Sequence, residues 1–231
     1  MHSAIIFGIT MPNTPLPEWE ALLASAAHLQ KIVPEAVLVG GTAAASYAHH
    51  RVSVDHDHTL SDLRLRFDTV LATLESVAGW RTARVKRPVL FLGSLDGIET
   101  GIRQLIRDAP LETETIEIAG EKLTVPTKAE MLRIKAVLII RRNATRDYLD
   151  FVALAELIGH EATLVALESF DSLYPQQNGQ SAHQQLQVQL ANPMPYDLEE
   201  TNLGEYKKLK PAYQDWNIVA EKCRAIANEL W

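Results

Sequence analysis

The sequence predicts an α+β fold: a small mixed sheet with flanking helices, followed by a helical C-terminal region. Three stretches carry that prediction. Residues 37 to 60 read as a short apolar strand (Val37-Leu38-Val39), a Gly40-Gly41 turn, a small-residue helix from Thr42, and a second strand through Asp55-His56-Asp57-His58. Val85 to Leu95 and Ile98 to Leu105 read as a β-hairpin turning at Asp96-Gly97, because both central positions of a type I′ turn need positive φ. Thr127-Lys128-Ala129-Glu130 is a capping box, so the chain turns helical from Lys128.

The remaining elements fall in order. Pro12, Pro15 and Pro17 mark an extended lead-in. Glu18 to Lys31 is amphipathic, with Trp19, Leu22, Leu23, Ala26 and Leu29 at helical spacing, and Pro34 ends it. A helix over Leu63 to Val77 carries Leu63, Phe67, Val70, Leu71 and Leu74 on one face and stops at Gly79. Pro88 fits only the start or edge of the strand that follows. Glu117 to Thr124 reads as a further strand, Lys128 to Arg141 and Thr145 to Ile158 as helices. Residues 172 to 201 are rich in Gln, Asn, Ser and Pro and read as a polar linker with at most a short helix over Gln184 to Leu190. Pro211 opens a last amphipathic helix bearing Trp216, Val219, Ala220, Cys223, Ile226 and Leu230. The expected division is a core with its N-terminal helix over residues 1–125 and a helical region over 126–231.

Composition narrows the class. The 231 residues are 47% apolar and 22% charged, ordinary for a globular chain that buries a sizeable core. The single cysteine, Cys223, excludes an internal disulfide or a cysteine-based zinc site and fits a reducing compartment. The run Ala4 to Ile9 is too short for a secretory signal and no stretch is long enough to span a membrane, so a cytoplasmic location without membrane partners is expected. A net charge of -7 argues against a protein that coats duplex nucleic acid. Two basic clusters, Arg81, Arg84, Lys86 and Arg87, then Arg133, Lys135, Arg141, Arg142 and Arg146, still permit a nucleotide or an RNA end; the plainer alternative is solvated surface.

The chemistry concentrates around the glycine turn. Glycine lets a backbone approach a ligand closely, and a helix N-terminus favours phosphate. Side chains alternate along a strand, so Asp55 and Asp57 project one way and His56 and His58 the other. Two carboxylates beside a phosphate-binding turn suit a hard cation, Mg²⁺ (or Mn²⁺), and paired metal ions serve phosphoryl or nucleotidyl transfer. Gly40 and Gly41 alone would be an ordinary tight turn; Thr42 either adds a hydroxyl to the phosphate or caps the helix. Lys135 sits mid-helix in an apolar run, costly for an ammonium unless it meets an anion. Arg146 and Asp150, four apart, could be no more than a surface pair of ~0.3–0.5 kcal/mol. His49, His50, His56 and His58 raise a zinc hydrolase, against which stands the alternation that separates His56 and His58 from the aspartates.

These residues also resemble a known family. An apolar residue, Gly-Gly, about a dozen residues and Asp-x-Asp is similar to the signature of polymerase-β-type nucleotidyltransferases. Gly40-Gly41-Thr42-Ala43 and Arg51-Val52-Ser53-Val54-Asp55-His56-Asp57 most resemble the AbiEii/MenT-like, toxin–antitoxin branch, as does a helix lysine, Lys135, ahead of Arg146-Asp147-x-x-Asp150. The resemblance spans residues 37 to 159 and departs at His56, where the family usually has an apolar residue. It implies a metal-dependent transferase that moves a nucleoside monophosphate from an NTP to an acceptor hydroxyl, such as a tRNA 3′ end or a protein, with a cognate antitoxin as partner. By the same resemblance Asp55, Asp57 and Glu99 hold Mg²⁺ (Glu117 in reserve for the third). Gly40, Gly41, Thr42, Lys135 and Arg146 then hold phosphates, and Asp147 orients Lys135 or the attacking group. A catalytically silent nucleotide- or partner-binding domain and a metal hydrolase are the other readings.

Overall fold

The computed structural model describes residues 18–177 and 179–230. Strands β1 (Val37–Val39), β2 (His56–Leu60), β3 (Trp80–Lys86), β4 (Leu90–Leu95) and β5 (Ile98–Gln104) form one sheet in the order β1-β2-β5-β4-β3. Only β2 and β5 run parallel; the other neighbours are antiparallel, so the sheet is mixed. Alternation gives it two unlike faces. Leu60, Phe91, Leu95 and Ile102 bury one face against α1 (Trp19–Ile32) and α3 (Leu63–Glu75), whose Leu29, Leu63, Phe67 and Leu74 complete a small core. Asp57, Gly101, Leu92 and Arg103 belong to the other face.

The glycine turn sits where β1 meets α2 (Gly40–Ala48). That helix begins at Gly40, two residues before Thr42, and Gly40 takes a φ of +77° that most side chains resist. Its Ala43, Ala44 and Ala45 are buried and bring the helix close to α5 (Thr145–Ile158). Thr127 caps α4 (Lys128–Arg142) by accepting from the Glu130 N–H at 3.2 Å. The helices α6 (His160–Glu168), α7 (Phe170–Leu173), α8 (Ala182–Ala191) and α9 (Trp216–Ala227) follow. The larger core draws on Leu23, Leu38 and Leu123 before position 125 and on Leu149, Leu154, Leu186 and Cys223 after it.

Several expectations need correction. The stretch Val85 to Leu95 is not one strand: β3 runs back to Trp80, and residues 87–89 turn into β4, because Pro88 cannot donate to a ladder. The strand expected over Glu117 to Thr124 is a hairpin of β6 (Thr113–Ile118) and β7 (Glu121–Pro126), turning at Ala119 and Gly120 with φ of 51° and 79°. Alanine in that position gives no turn signal. In the polar stretch over 172–201, α8 is an ordered ten-residue helix whose Ala182, Leu186 and Leu190 meet the core at four-residue spacing. Pro211 opens a 3₁₀ turn over Pro211–Tyr213, and the last helix begins at Trp216. The Asp96-Gly97 turn is as expected, with φ of 53° and 82°. The proline-rich lead-in and the Ala4 to Ile9 run lie outside the described residues.

Leu186 is fully buried while Val188 is 69% exposed on the same helix. Leu186→Ala is expected to lower unfolding free energy in urea by about 2–5 kcal/mol. Val188→Ala should change it by less than about 0.5 kcal/mol. Equal small effects would show that α8 adds nothing to the core.

Candidate active site

Register places the acids. Asp57 lies on β2 opposite Val39 of β1 and Gly101 of β5, so its carboxylate stands between the end of β1 and the middle of the sheet. A Cβ on Gly40 would come within 3.4 Å of the Asp57 Cβ and 3.5 Å of its Oδ2, which puts that carboxylate at the glycine turn. A Cβ on Gly101 would lie only 2.7 Å from Asp57 Oδ1, so the absent side chain is what leaves room for the acid. Asp55 precedes β2; its Oδ1 accepts from the Ser53 hydroxyl at 2.9 Å, and its main-chain carbonyl accepts from the Thr42 hydroxyl. Thr42, fully buried, therefore ties α2 to the acid-bearing loop. Ser46 donates back to the Thr42 carbonyl at 2.9 Å and is a packing residue.

Glu99 stands one residue before the His56–Thr100 pair, in the row of Asp55. Burial raises its carboxyl and Asp55 raises it further. Burial likewise raises Asp57; Asp55 adds to that, while Arg103, Arg146 and Arg142 pull the other way. Asp55 thus acts on both Glu99 and Asp57, and repulsion within each pair favours a cation beside them. Arg103 Nη2 lies 3.6 Å from Asp57 Oδ1. Glu117 sits on the separate β6–β7 hairpin, opposite Lys122. Among the described residues, no three of His, Cys, Asp and Glu are grouped to hold a metal ion unaided. Mg²⁺ is ordinarily bound through one or two carboxylates, with substrate phosphates completing its shell, so the donor chemistry of this face fits it.

Behind the turn lies a buried charge network. Asp150 is fully buried; Arg51 grips it with Nε to Oδ1 at 2.7 Å and Nη2 to Oδ2 at 3.0 Å. Lys135 Nζ reaches its Oδ2 at 2.7 Å, and His50 Nε2 its Oδ1 at 2.7 Å. Burial alone would raise the Asp150 carboxyl, but Arg51, Lys135 and His50 hold it well below the usual carboxylate range. Lys135, 1% exposed, faces Asp150 and, at 3.7 Å, Asp147. Asp147 in turn receives the Arg142 guanidinium, Nη2 to Oδ1 at 2.6 Å. Asp150 is therefore no partner for Arg146 at the surface. A Cβ on Gly41 would fall 2.5 Å from Arg51 Nη2, so the second glycine of the turn makes room for this guanidinium.

The sequence reading missed Arg103 and the structural weight of Arg51 and His50. Arg103 was accessible to alternation, two residues past Gly101. Arg51 carries no local signal, because Asp150 is 99 positions away.

The opposite face of β2 is shut. His56 is fully buried, its Nε2 2.9 Å from Ser25 Oγ and its Nδ1 3.0 Å from Thr100 Oγ1. His58, also buried, sets its ring edgewise to His56 at 5.3 Å.

The fold is similar to that of a solved nucleotidyltransferase toxin. The chain superposes on MenT4, a nucleotidyltransferase toxin of Mycobacterium tuberculosis, with a TM-score of 0.51 and 16% identity over 92% of this chain and 84% of that one. Looser likenesses are to the antibiotic-resistance factor ANT(2'')-Ia (TM-score 0.46, 12% identity, 66% of this chain and 91% of that one) and a nucleotidyltransferase-like protein of Paracoccidioides brasiliensis (0.44, 15%, 70% and 92%). No family model matches the sequence. In sequence, 52% of the chain is 32% identical over 124 residues to the mycolic acid-containing lipids exporter MmpL11 of Mycolicibacterium smegmatis, covering 13% of it. The same share is 34% identical over 124 residues to the heme uptake protein MmpL11 of Mycobacterium tuberculosis, covering 12%. The chain thus spans only about an eighth of these curated relatives' length. Among the described residues no helix is long and apolar enough to cross a membrane.

Burial lowers the His56 imidazole to about 4, against the pull of Asp55. Between that value and the unfolded value near 6.5 the unfolded chain binds more protons, so stability rises with pH across this window and is lost on acidification. Urea unfolding between pH 7 and pH 4 should show a loss on the order of 3 kcal/mol from this group. His56→Asn should flatten the slope. An unchanged slope would mean that His56 is not held neutral.

Proposed function

We propose that the chain is a metal-dependent nucleotidyltransferase that moves a nucleoside monophosphate from an NTP to an acceptor hydroxyl and releases pyrophosphate. The observation that carries this is the Asp57 carboxylate set against Gly40 at the N-terminus of α2, with Asp55 and Glu99 in the neighbouring row. Asp55 and Asp57, with Glu99, would hold Mg²⁺ or Mn²⁺. When bound, that ion neutralises phosphate charge and lowers the pKa of the attacking hydroxyl. In the reaction the acceptor oxygen bonds to the α-phosphorus, the bond from that phosphorus to the pyrophosphate oxygen breaks, pyrophosphate leaves, and the hydroxyl proton passes to water.

The other residues bind and position. Gly40, Gly41 and the first N–H groups of α2 receive the triphosphate. Arg103 and Arg146, whose charges act on Asp57, would meet phosphate oxygens once a cation occupies the acids. Lys135 and Asp147 act from within the fold: Asp147 holds Arg142, and Lys135 balances Asp147 and Asp150. The toxin fold of MenT4 supports a role as the toxin of a toxin–antitoxin pair, with a tRNA 3′ end or a protein as acceptor.

Incubation with Mg²⁺, each labelled NTP, total tRNA and a cell protein extract tests the reading. Label transfer is expected from the native protein, and background from Asp55→Asn/Asp57→Asn with an unchanged circular dichroism spectrum. NTP binding without transfer to either pool would instead indicate a silent nucleotide-binding domain.

A further inference from the structure

The outer strand of the sheet carries charges that the transferase chemistry does not use. Strand β3 holds Arg81, Arg84 and Lys86, all exposed. Among the described residues none of the three enters an ion pair, whereas neighbouring Arg87 is paired with Asp68 and lies over the Phe67 ring at 5.0 Å.

Strict alternation from Arg81 would send Arg84 and Lys86 to the opposite face. It does not, because the β3–β4 register shifts between Thr82 and Arg84: Arg81 pairs with Ser94 and Thr82 with Gly93, then Arg84 pairs with Leu92 and Lys86 with Leu90. Ala83 is the extra residue of a β-bulge, which resets the phase of the strand. Paired residues share a face. The rows across the sheet therefore run Glu99, Ser94, Arg81; then Asp57, Gly101, Leu92, Arg84; then Thr59, Arg103, Leu90, Lys86. The opposite phase holds Trp80, whose ring would meet a Cβ on Gly93 at 2.9 Å. All three free cations thus stand on the carboxylate face. Between them and the acids lie the half-buried Leu92 and Ser94, an open ledge offering one apolar and one hydroxyl side chain.

We infer that this ledge, edged by Arg81, Arg84 and Lys86, binds the phosphodiester backbone of a nucleic-acid strand whose end is presented to Asp55 and Asp57. Protection of an edge strand would explain charges there, but it is served by charges on either face. The bulge that brings all three to one face is explained by a ligand on that face. Three strand spacings separate β3 from β2, about 14 Å, too far for the cations to serve the triphosphate at Gly40. They suit a polyanion extending outward by a few nucleotides. Guanidinium groups grip phosphate with two parallel N–H bonds, and cations two residues apart along a strand repeat on the scale of neighbouring phosphates. An acidic peptide lacks the tetrahedral phosphate oxygens that a guanidinium fork grips at this spacing, and polyglutamate serves as its stand-in in the test.

The inference rests on the transferase reading only for the purpose of the bound strand, so binding is measured without NTP or metal. Fluorescence anisotropy with labelled single-stranded RNA and DNA oligonucleotides, titrated at several salt concentrations, gives affinity and salt slope. Each phosphate contact contributes about 0.7 to that slope for single strands. Arg81→Gln/Arg84→Gln/Lys86→Gln should weaken binding at least tenfold and reduce the slope by about 2, with the circular dichroism spectrum unchanged. Asp55→Asn/Asp57→Asn should bind at least as tightly as the native protein even if transfer fails, which separates the two readings. Preference for RNA over DNA, or the reverse, would identify the strand. Native-like affinity and slope in the triple variant, or equally tight binding of polyglutamate, would overturn the inference.

Discussion

The Asp150 carboxylate, sealed from solvent, is the point from which the acid-bearing face is held. Three cationic or hydrogen-bonding groups converge on it: Arg51 and His50 from the loop before β2, and Lys135 from α4. A lone buried carboxylate would be prohibitively costly, and removing one member of such a set typically costs ~3–5 kcal/mol because the rest are left buried and unpaired. The consequence reaches the surface through Arg51. Its guanidinium packs where a side chain on Gly41 would stand, and the chain leaving it supplies Ser53 to the Asp55 carboxylate. The same loop is strapped from outside, Val52 donating to the Lys207 carbonyl at 2.8 Å and Lys210 to that of His50 at 2.8 Å. The glycine turn, the aspartate loop and the C-terminal segment are thus fixed relative to α5 by one ionic knot.

Strand β2 divides the labour between its faces. Asp57 looks out to the turn; His56 and His58 look inward and are kept neutral by burial. The imidazole at 56 sits in the closed layer without adding charge, since Ser25 and Thr100 occupy both its nitrogens. That arrangement accounts for a polar residue in an otherwise apolar layer, and it leaves the histidines no path to the acids for zinc chemistry. The carboxylate face meanwhile gathers Asp55, Asp57 and Glu99 with Arg103, Arg142 and Arg146 close enough to act on Asp57.

Much of this was legible in the sequence wherever the signal is local. The capping box at Thr127, the stop at Gly159 and the Asp96-Gly97 turn each depend on residues within one turn of chain, and each element lies where they put it. Alternation alone set Asp55 and Asp57 against His56 and His58. What escaped depends on distant partners or on backbone irregularity. Ala119-Gly120 turns a hairpin without an asparagine or aspartate to announce it. The Gln-rich helix α8 hides three core residues in a polar composition. The bulge at Ala83 leaves no trace in the pattern of side chains, yet it decides which face Arg84 and Lys86 take. Lys135 was recognisable as a buried cation in need of an anion; that the anion would be Asp150 was not, with 14 intervening residues that take in a helix end and a second helix start.

The geometry stands or falls on whether Asp55 and Asp57 share a cation with a triphosphate at the Gly40 turn. Electron paramagnetic resonance of Mn²⁺ titrated into the protein with a non-hydrolysable NTP analogue reads this directly. Mn²⁺ should bind markedly tighter with the analogue present than without it, and Asp57→Asn should abolish that gain. Tight binding indifferent to the nucleotide, or a gain that survives Asp57→Asn, would contradict it.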